Sequence, residues 1–406
     1  MSTLYLLFFL LLIASLGSFL MGERGVRGRG LPSGSEWVVL GFVLGPSLLG
    51  VLNSQDLELF APVSAVAVGW IALLAGISFG TDGARRVPLP RMALGLLSAL
   101  LCGAVVALAV WATLEHLPAA GATLPGARDR LLVALGCGAA LAASAQQAVR
   151  WAAVRLGARG PLTVLLGDLA HSDELVPIAA AGLVIATDTS RGLPAMPGLG
   201  LLLGAGLGLL TALLLGREMR RSWMWALLFG ISLLAAGVAV QLDLSLLATL
   251  FALGFFAALA SPLRSEVRRI PAEVEGTIVL PALFIAGTRV SLGETAILVV
   301  VAAALAARLL GKALASLVPL AASPAARRSG PALAWALDSA GPLNVAVGLA
   351  FQLRYPGPVG NTVLAAAAAA AVVGEFVGPV ALRRALRRAG ELSEPAASER
   401  HAEVAS

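Results

Sequence analysis

Apolar runs of roughly 15 to 25 residues, separated by glycine, proline and arginine, recur thirteen times along this chain. They cover 3–21, 36–52, 61–79, 92–114, 131–150, 162–186, 198–215, 223–240, 244–261, 276–290, 294–318, 331–351 and 361–382. Coiled at about 1.5 Å per residue, such runs match the hydrocarbon thickness of a bilayer. In lipid every backbone N–H and C=O must be satisfied internally, which restricts spanning segments to helices or a closed barrel. These runs are too long for barrel strands. A chain of 406 residues that is 58% hydrophobic and 13% charged also exceeds the apolar content of a soluble core. The expected fold is therefore an all-α polytopic membrane protein of about 13 transmembrane helices.

Arginine gives the orientation. Arg24, Arg27 and Arg29 follow the first run, and the segments on that side of the membrane collect twenty-two basic residues. The other side collects five: Arg128, Arg130, Arg191, Arg289 and Arg354. Cytoplasmic loops carry the positive excess, so the N-terminus is expected outside and the C-terminus in the cytoplasm. The first run lacks a basic leader and a small-residue cleavage site and is read as a span. Lys312 is the only lysine and alanine is abundant, which points to a GC-rich bacterial genome and the inner membrane. Basic residues without interleaved aromatics offer no nucleic-acid surface. Cys102 and Cys137 lie inside apolar runs, giving no disulfide framework. The absence of a nucleophile–base set or metal-ligand spacing argues against an enzyme, and no resident cofactor is expected. The tail beyond Arg388 is polar and expected to be disordered.

Within the sixth run, Asp168-Leu-Ala-His171-Ser172-Asp173-Glu174 places charge at membrane depth. Each such charge costs about 2.5–3.5 kcal/mol on insertion scales, so a function is expected to retain it, by default ion or proton handling. Helical spacing puts Asp168, His171 and Ser172 on one face, with Glu174 near its edge and Asp173 about 100° from Ser172. Asp168 reads as an inner-half acid paired with an arginine, and His171 as a neutral structural histidine. Asp173 is the lead ion-site residue, and Glu174 the second.

Two runs read as interrupted. The fifth contains Ala142-Ala-Ser144-Ala-Gln146-Gln147, and the twelfth Asp338-Ser339-Ala340-Gly341-Pro342-Leu343-Asn344. Proline removes a donor and glycine tolerates unusual backbone angles, so polar residues around Gly341 and Pro342 mark an unwound segment. Runs 4–6 and 11–13 each place their interruption in the middle helix and have opposite orientations, as an inverted repeat requires. Asp173, Arg308 and the Gly341-Pro342 break all fall near the midpoints of their runs. Desolvation favours the neutral form of a carboxylate and a nearby arginine the charged form. A group balanced in this way can exchange a proton for a small cation. Arg308 is the expected counter-charge, offsetting the negative helix ends or the empty carboxylate. Lys312, a further counter-charge, and Glu375 lie nearer the cytoplasmic side, where pairing or snorkelling accounts for them.

Gly41-Phe-Val-Leu-Gly45-Pro46-Ser47-Leu-Leu-Gly50 resembles the second span of the monovalent cation:proton antiporter-2 family. Leu73-Leu-Ala-Gly76-Ile-Ser-Phe-Gly80, Leu280-Pro-Ala-Leu-Phe-Ile-Ala-Gly287 and Ala307-Arg308-Leu-Leu-Gly311-Lys312 continue the resemblance in order. It implies a sodium/proton antiporter-like fold of inverted repeats with crossed discontinuous helices. An interface domain would take spans 1–3 (1–90) and 8–10 (223–292), and a core domain spans 4–6 (91–190) and 11–13 (293–388). Residues 191–222 would link them through span 7, and 389–406 would form the tail. It also implies a homodimer and an elevator motion of the core. By position, Asp173 is similar to the family's ion-binding aspartate and Arg308 to its basic residue in span 11. The chain departs from the family at Ser172, where Asn, Asp or Gln is common. It departs again at Ser144 and Gln146, where a threonine–aspartate or serine–threonine pair is frequent.

The expected function is exchange of protons for Na+ or K+. Asp173 would bind cation and proton in turn, and Ser144, Gln146, Ser172, Glu174 and carbonyls at the two breaks, the second bounded by Asp338 and Asn344, would complete the site. A cation channel on the same scaffold and a non-transporting membrane sensor are the alternatives.

Overall fold

The computed structural model describes residues 34–83, 87–117, 121, 124, 126–188, 198–215 and 220–392. Among these the fold is all-helical. The first expected span, 3–21, and most of the C-terminal tail lie outside the described residues. The elements are α1 (Ser35–Leu44), α2 (Ser54–Leu59), α3 (Ala61–Ser78), α4 (Leu89–His116), α5 (Ala127–Ala142) and α6 (Gln146–Arg155). They continue with α7 (Pro161–Asp173), α8 (Leu175–Thr187), α9 (Leu199–Leu214), α10 (Arg221–Gln241), α11 (Leu246–Ala260) and α12 (Arg264–Thr288). The last are α13 (Thr295–Ala315), α14 (Leu317–Ala322), α15 (Pro324–Ser329), α16 (Pro342–Arg354) and α17 (Pro358–Arg388).

Among the described residues, seven helical stretches are long and apolar enough to cross a membrane, and four shorter apolar helices accompany them. The expected runs and the observed helices differ where backbone chemistry intervenes. The second run extends to residue 52, but α1 ends at Leu44. Pro46 disfavours helical angles at Gly45, which is extended, and the chain closes into a turn with the Gly50 N–H bonded to the Gly45 carbonyl at 2.9 Å. The sixth run is split at Glu174 into α7 and α8. Pro177 has no N–H to offer the Asp173 carbonyl one turn earlier, which loosens the ladder at that point. The tenth run begins earlier than its apolar part, because α12 starts with the charged turn Arg264-Ser-Glu-Val-Arg268-Arg269.

Helix packing falls into two sets. In one, α1 lies on α12, and α11 is flanked by α3 and α9. In the other, α4 packs on α5, α7 and α13, and α17 packs on α5 and α16. Small residues allow the close approaches, as they do where helices associate in lipid. A Cβ at Gly204 or Gly208 of α9 would collide with the carbonyls of Thr249 or Leu253 in α11, whereas Gly206 faces open space.

Candidate ion site

The site is built where an interrupted helix meets a run that is α-helical only in its second half, and their irregular links touch. Helix α5 stops at Ala142 and α6 starts at Gln146, leaving Ala143–Ala145 extended. A second irregular stretch, 338–341, precedes α16. The Ala145 N–H donates to the Ser339 carbonyl at 2.7 Å, joining the two links directly. Gly341 faces Ala145 closely enough that a Cβ there would lie 2.9 Å from the alanine Cβ. Pro342 opens α16, where its missing N–H costs no helical bond. Asn344 accepts the Gly341 N–H at 3.1 Å and donates to the carbonyls of Ala140 (2.7 Å) and Ala143 (3.2 Å).

A broken helix leaves carbonyls exposed at one end and N–H groups at the other. Here each end meets the opposite charge. Arg308, 2% exposed, donates to the carbonyls of Leu141, Ala143 (3.1 Å) and Asp338 (2.8 Å). Its Nε also pairs with the Asp338 carboxylate at 3.2 Å. Lys312 Nζ donates to the Ala142 carbonyl at 2.9 Å and to Ser144 Oγ at 2.9 Å. Both cations therefore cover the negative C-terminal end of α5. Carboxylates cover the N-terminal side of α6. Asp173 Oδ2 accepts the Ser144 N–H at 3.0 Å and the Ser144 hydroxyl at 2.6 Å, and Glu174 Oε1 accepts the Gln146 N–H at 3.3 Å.

Of the two roles expected of Arg308, the contacts are those of the helix-end role. Arg308 does not pair with Asp173, because its guanidinium fan is filled by three carbonyls and Asp338. Lys312, one helical turn further along α13, is the cation at Asp173, with Nζ 3.7 Å from Oδ2. The i, i+4 spacing of Arg308 and Lys312 was the sequence signal that both point to one face. Ser172 stands apart from the cluster: its hydroxyl bonds back to the Asp168 carbonyl at 2.8 Å, and its Cβ faces Gly95 of α4. Asp168 pairs with Arg91 at 2.7 Å, and His171 stacks on Phe79 with ring centroids 4.1 Å apart.

A cavity of about 210 Å3, with Arg150 and Arg268 in its lining, borders this crossing. Ser144, Gln146, Glu174 and Asn344 line it, together with Ile71 and Ser78 of α3 and Val279 of α12. Gln147 bridges it by donating from Nε2 to Glu275 Oε1 at 2.5 Å, a contact between α6 and α12 that sequence spacing gave no means of finding.

No family model matches the chain, and no curated protein does. Solved structures do. The structure of the sodium proton antiporter MjNhaP1 from Methanocaldococcus jannaschii at pH 8 superposes with a TM-score of 0.67 at 15% identity. The alignment covers 96% of this chain and all of that one, 100%. The fold is that of a sodium proton antiporter. An electron-microscopy structure of MjNhaP1 agrees, with a TM-score of 0.64, 16% identity, and coverage of 97% and 100%.

Proposed function

We propose that this chain is a secondary antiporter that exchanges Na+ or K+ for protons, related to the monovalent cation:proton antiporter-2 family. The observation that carries this reading is a buried carboxylate, Asp173, resting on the N-terminal side of a half-helix where the irregular links of two membrane-depth runs meet. Discontinuous helices at membrane depth provide carbonyls and N–H groups to ions without side-chain charge. Ser144, Gln146 and Glu174 supply further oxygens along the open cavity.

In this reading α4–α8 and α13–α17 form the moving core, α1–α3 and α10–α12 form the interface domain that pairs two subunits, and α9 links the parts. The membrane is the bacterial inner membrane, and the cavity faces the cytoplasm. Asp173 takes a proton from one side and a cation from the other. Lys312 balances its charge between these events. Moving a bare carboxylate past the apolar seam is costly, whereas a neutralised one passes, and that difference couples the two fluxes.

Exchange by the wild type and Asp173→Asn in proteoliposomes with an imposed pH gradient tests the reading. Loss of exchange in a folded Asp173→Asn supports it, and undiminished exchange removes Asp173 from the mechanism. Cation flux that moves no protons would make the chain a channel. Absence of both flux and calorimetric binding of Na+, K+ and Li+ would make it a sensor.

A further inference from the structure

The outer ends of the helices carry a second set of charges that the ion site does not use. Arg354, the last residue of α16, places Nη1 2.5 Å from Oδ1 of Asp243, in the turn between α10 and α11. Arg289, just after α12, donates to Gln352 Oε1 at 3.2 Å and to the Leu57 carbonyl. Two groups from the proposed interface domain therefore grip the final turn of α16. The first turn of that helix carries Asn344, which bonds the links at the ion site. Its 13 residues span about 20 Å, so one rigid element joins the grip to the site.

Asp243 sits in an uncommon backbone state. It is the one non-glycine residue with positive φ among the described residues, at 54°. The Leu244 N–H closes on the Ala239 carbonyl at 2.8 Å, so Asp243 occupies the left-handed position that ends α10. Glycine or asparagine would satisfy that turn at less or equal cost. The turn alone does not call for a carboxylate. The ion pair with Arg354 does.

The same pair closes one side of a cavity of about 480 Å3 between the two helix sets. Its remaining lining is apolar, including Ala65 of α3, Ile185 of α8, Leu233 of α10 and Ala350 of α16. Helix α3 thus borders this cavity at its outer end and the polar cavity at its inner end, with Val68 and Trp70 fully packed between.

We infer that Asp243 and Arg354 form a latch that holds the outer seam between core and interface domain shut, and that it opens when the ion site turns outward. Arg289 and Gln352 reinforce it. This inference rests on the exchange reading for its two-sided motion. Its test does not depend on transport. A cysteine placed at Ala65 is labelled from outside by a membrane-impermeant maleimide, with Cys102 and Cys137 buried. Asp243→Asn, which keeps the turn, is expected to raise the labelling rate about fivefold, as loss of a partly exposed ion pair allows. Asp243→Gly should do the same, and the swap Asp243→Arg with Arg354→Asp should return the rate towards wild type. Unchanged labelling in Asp243→Asn and Arg354→Gln would overturn the latch even if exchange is normal. Faster labelling in a protein that exchanges nothing would retain the latch and reject the antiporter reading.

Discussion

Ser144 gives both its backbone N–H and its hydroxyl to a single oxygen of Asp173, at 3.0 and 2.6 Å. The hydroxyl oxygen also accepts from Lys312 at 2.9 Å. One small side chain thereby connects the buried acid, the buried amine and the half-helix end. In the proposed exchange an arriving cation takes Asp173 Oδ2 and the Ser144 hydroxyl oxygen as joint ligands, so loss of that oxygen weakens loading of the site.

Ser144→Ala retains the N–H contact and removes the hydroxyl. Hydrogen bonds to charged groups are worth about 1.5–3 kcal/mol, which corresponds to roughly ten- to a hundredfold in an equilibrium. The half-maximal cation concentration for exchange, read by fluorescence dequenching in vesicles, should rise within that range. Ser144→Thr, which keeps the hydroxyl, should stay near wild type. Equal behaviour of alanine and threonine variants would exclude the hydroxyl from cation coordination.

Arg308 is the larger structural commitment. Truncation to methionine strands the carbonyls of Leu141, Ala143 and Asp338 together with the Asp338 carboxylate. Breaking a buried pair in this way costs about 3–5 kcal/mol. Asp338→Asn leaves Arg308 its three carbonyls and should cost less. Thermal unfolding in detergent should therefore rank Arg308→Met well below Asp338→Asn. Equal midpoints would mean that the carbonyl contacts contribute little.

Much of this arrangement was legible in the sequence, and the misses have a common cause. The breaks at Ser144 and at Gly341-Pro342 announced themselves by proline, glycine and polar residues inside apolar runs. Depth along each run puts Arg308, Asp173 and the second break at one level. Depth does not fix rotation. Which of Arg308 and Lys312 reaches Asp173 depends on how α13 turns against α5, and the sequence contains only their shared face. Ser172 illustrates the same limit: adjacent to Asp173 in the chain, it points towards α4. Contacts such as Gln147 with Glu275 and Arg354 with Asp243 join residues more than a hundred positions apart. No local pattern encodes them.

The second break depends on α17 coming very close. A Cβ at Gly374 would lie 2.8 Å from both the Ala340 nitrogen and the Asp338 carbonyl oxygen, which are backbone atoms with no rotamer to yield. Overpacking of this kind costs about 1–3 kcal/mol and moves backbone. Gly374→Val should lower cation affinity and thermal stability together, because the displaced link carries the carbonyl that Arg308 holds. A variant that loses stability while cation binding by calorimetry is unchanged would show that the link tolerates displacement.

The N-terminus of α7, the helix that ends at Asp173, is held by a residue from the far end of the chain. Glu391 accepts the Leu162 N–H at 2.6 Å, the Thr163 N–H at 2.7 Å and the Thr163 hydroxyl at 2.8 Å. These are orphan donors of a helix start, and the negative charge also suits that end of the helix. Capping contacts of this type are worth about 0.5–2 kcal/mol. Glu391→Ala should therefore unfold at a lower temperature than wild type, with Glu391→Gln between them because it keeps one acceptor oxygen. The cap lies about twelve residues, or some 18 Å, from Asp173 along the helix, so exchange at saturating cation should be unaffected in both. If Glu391→Ala instead abolishes exchange while melting like wild type, the tail positions the ion-site helix and does more than cap it.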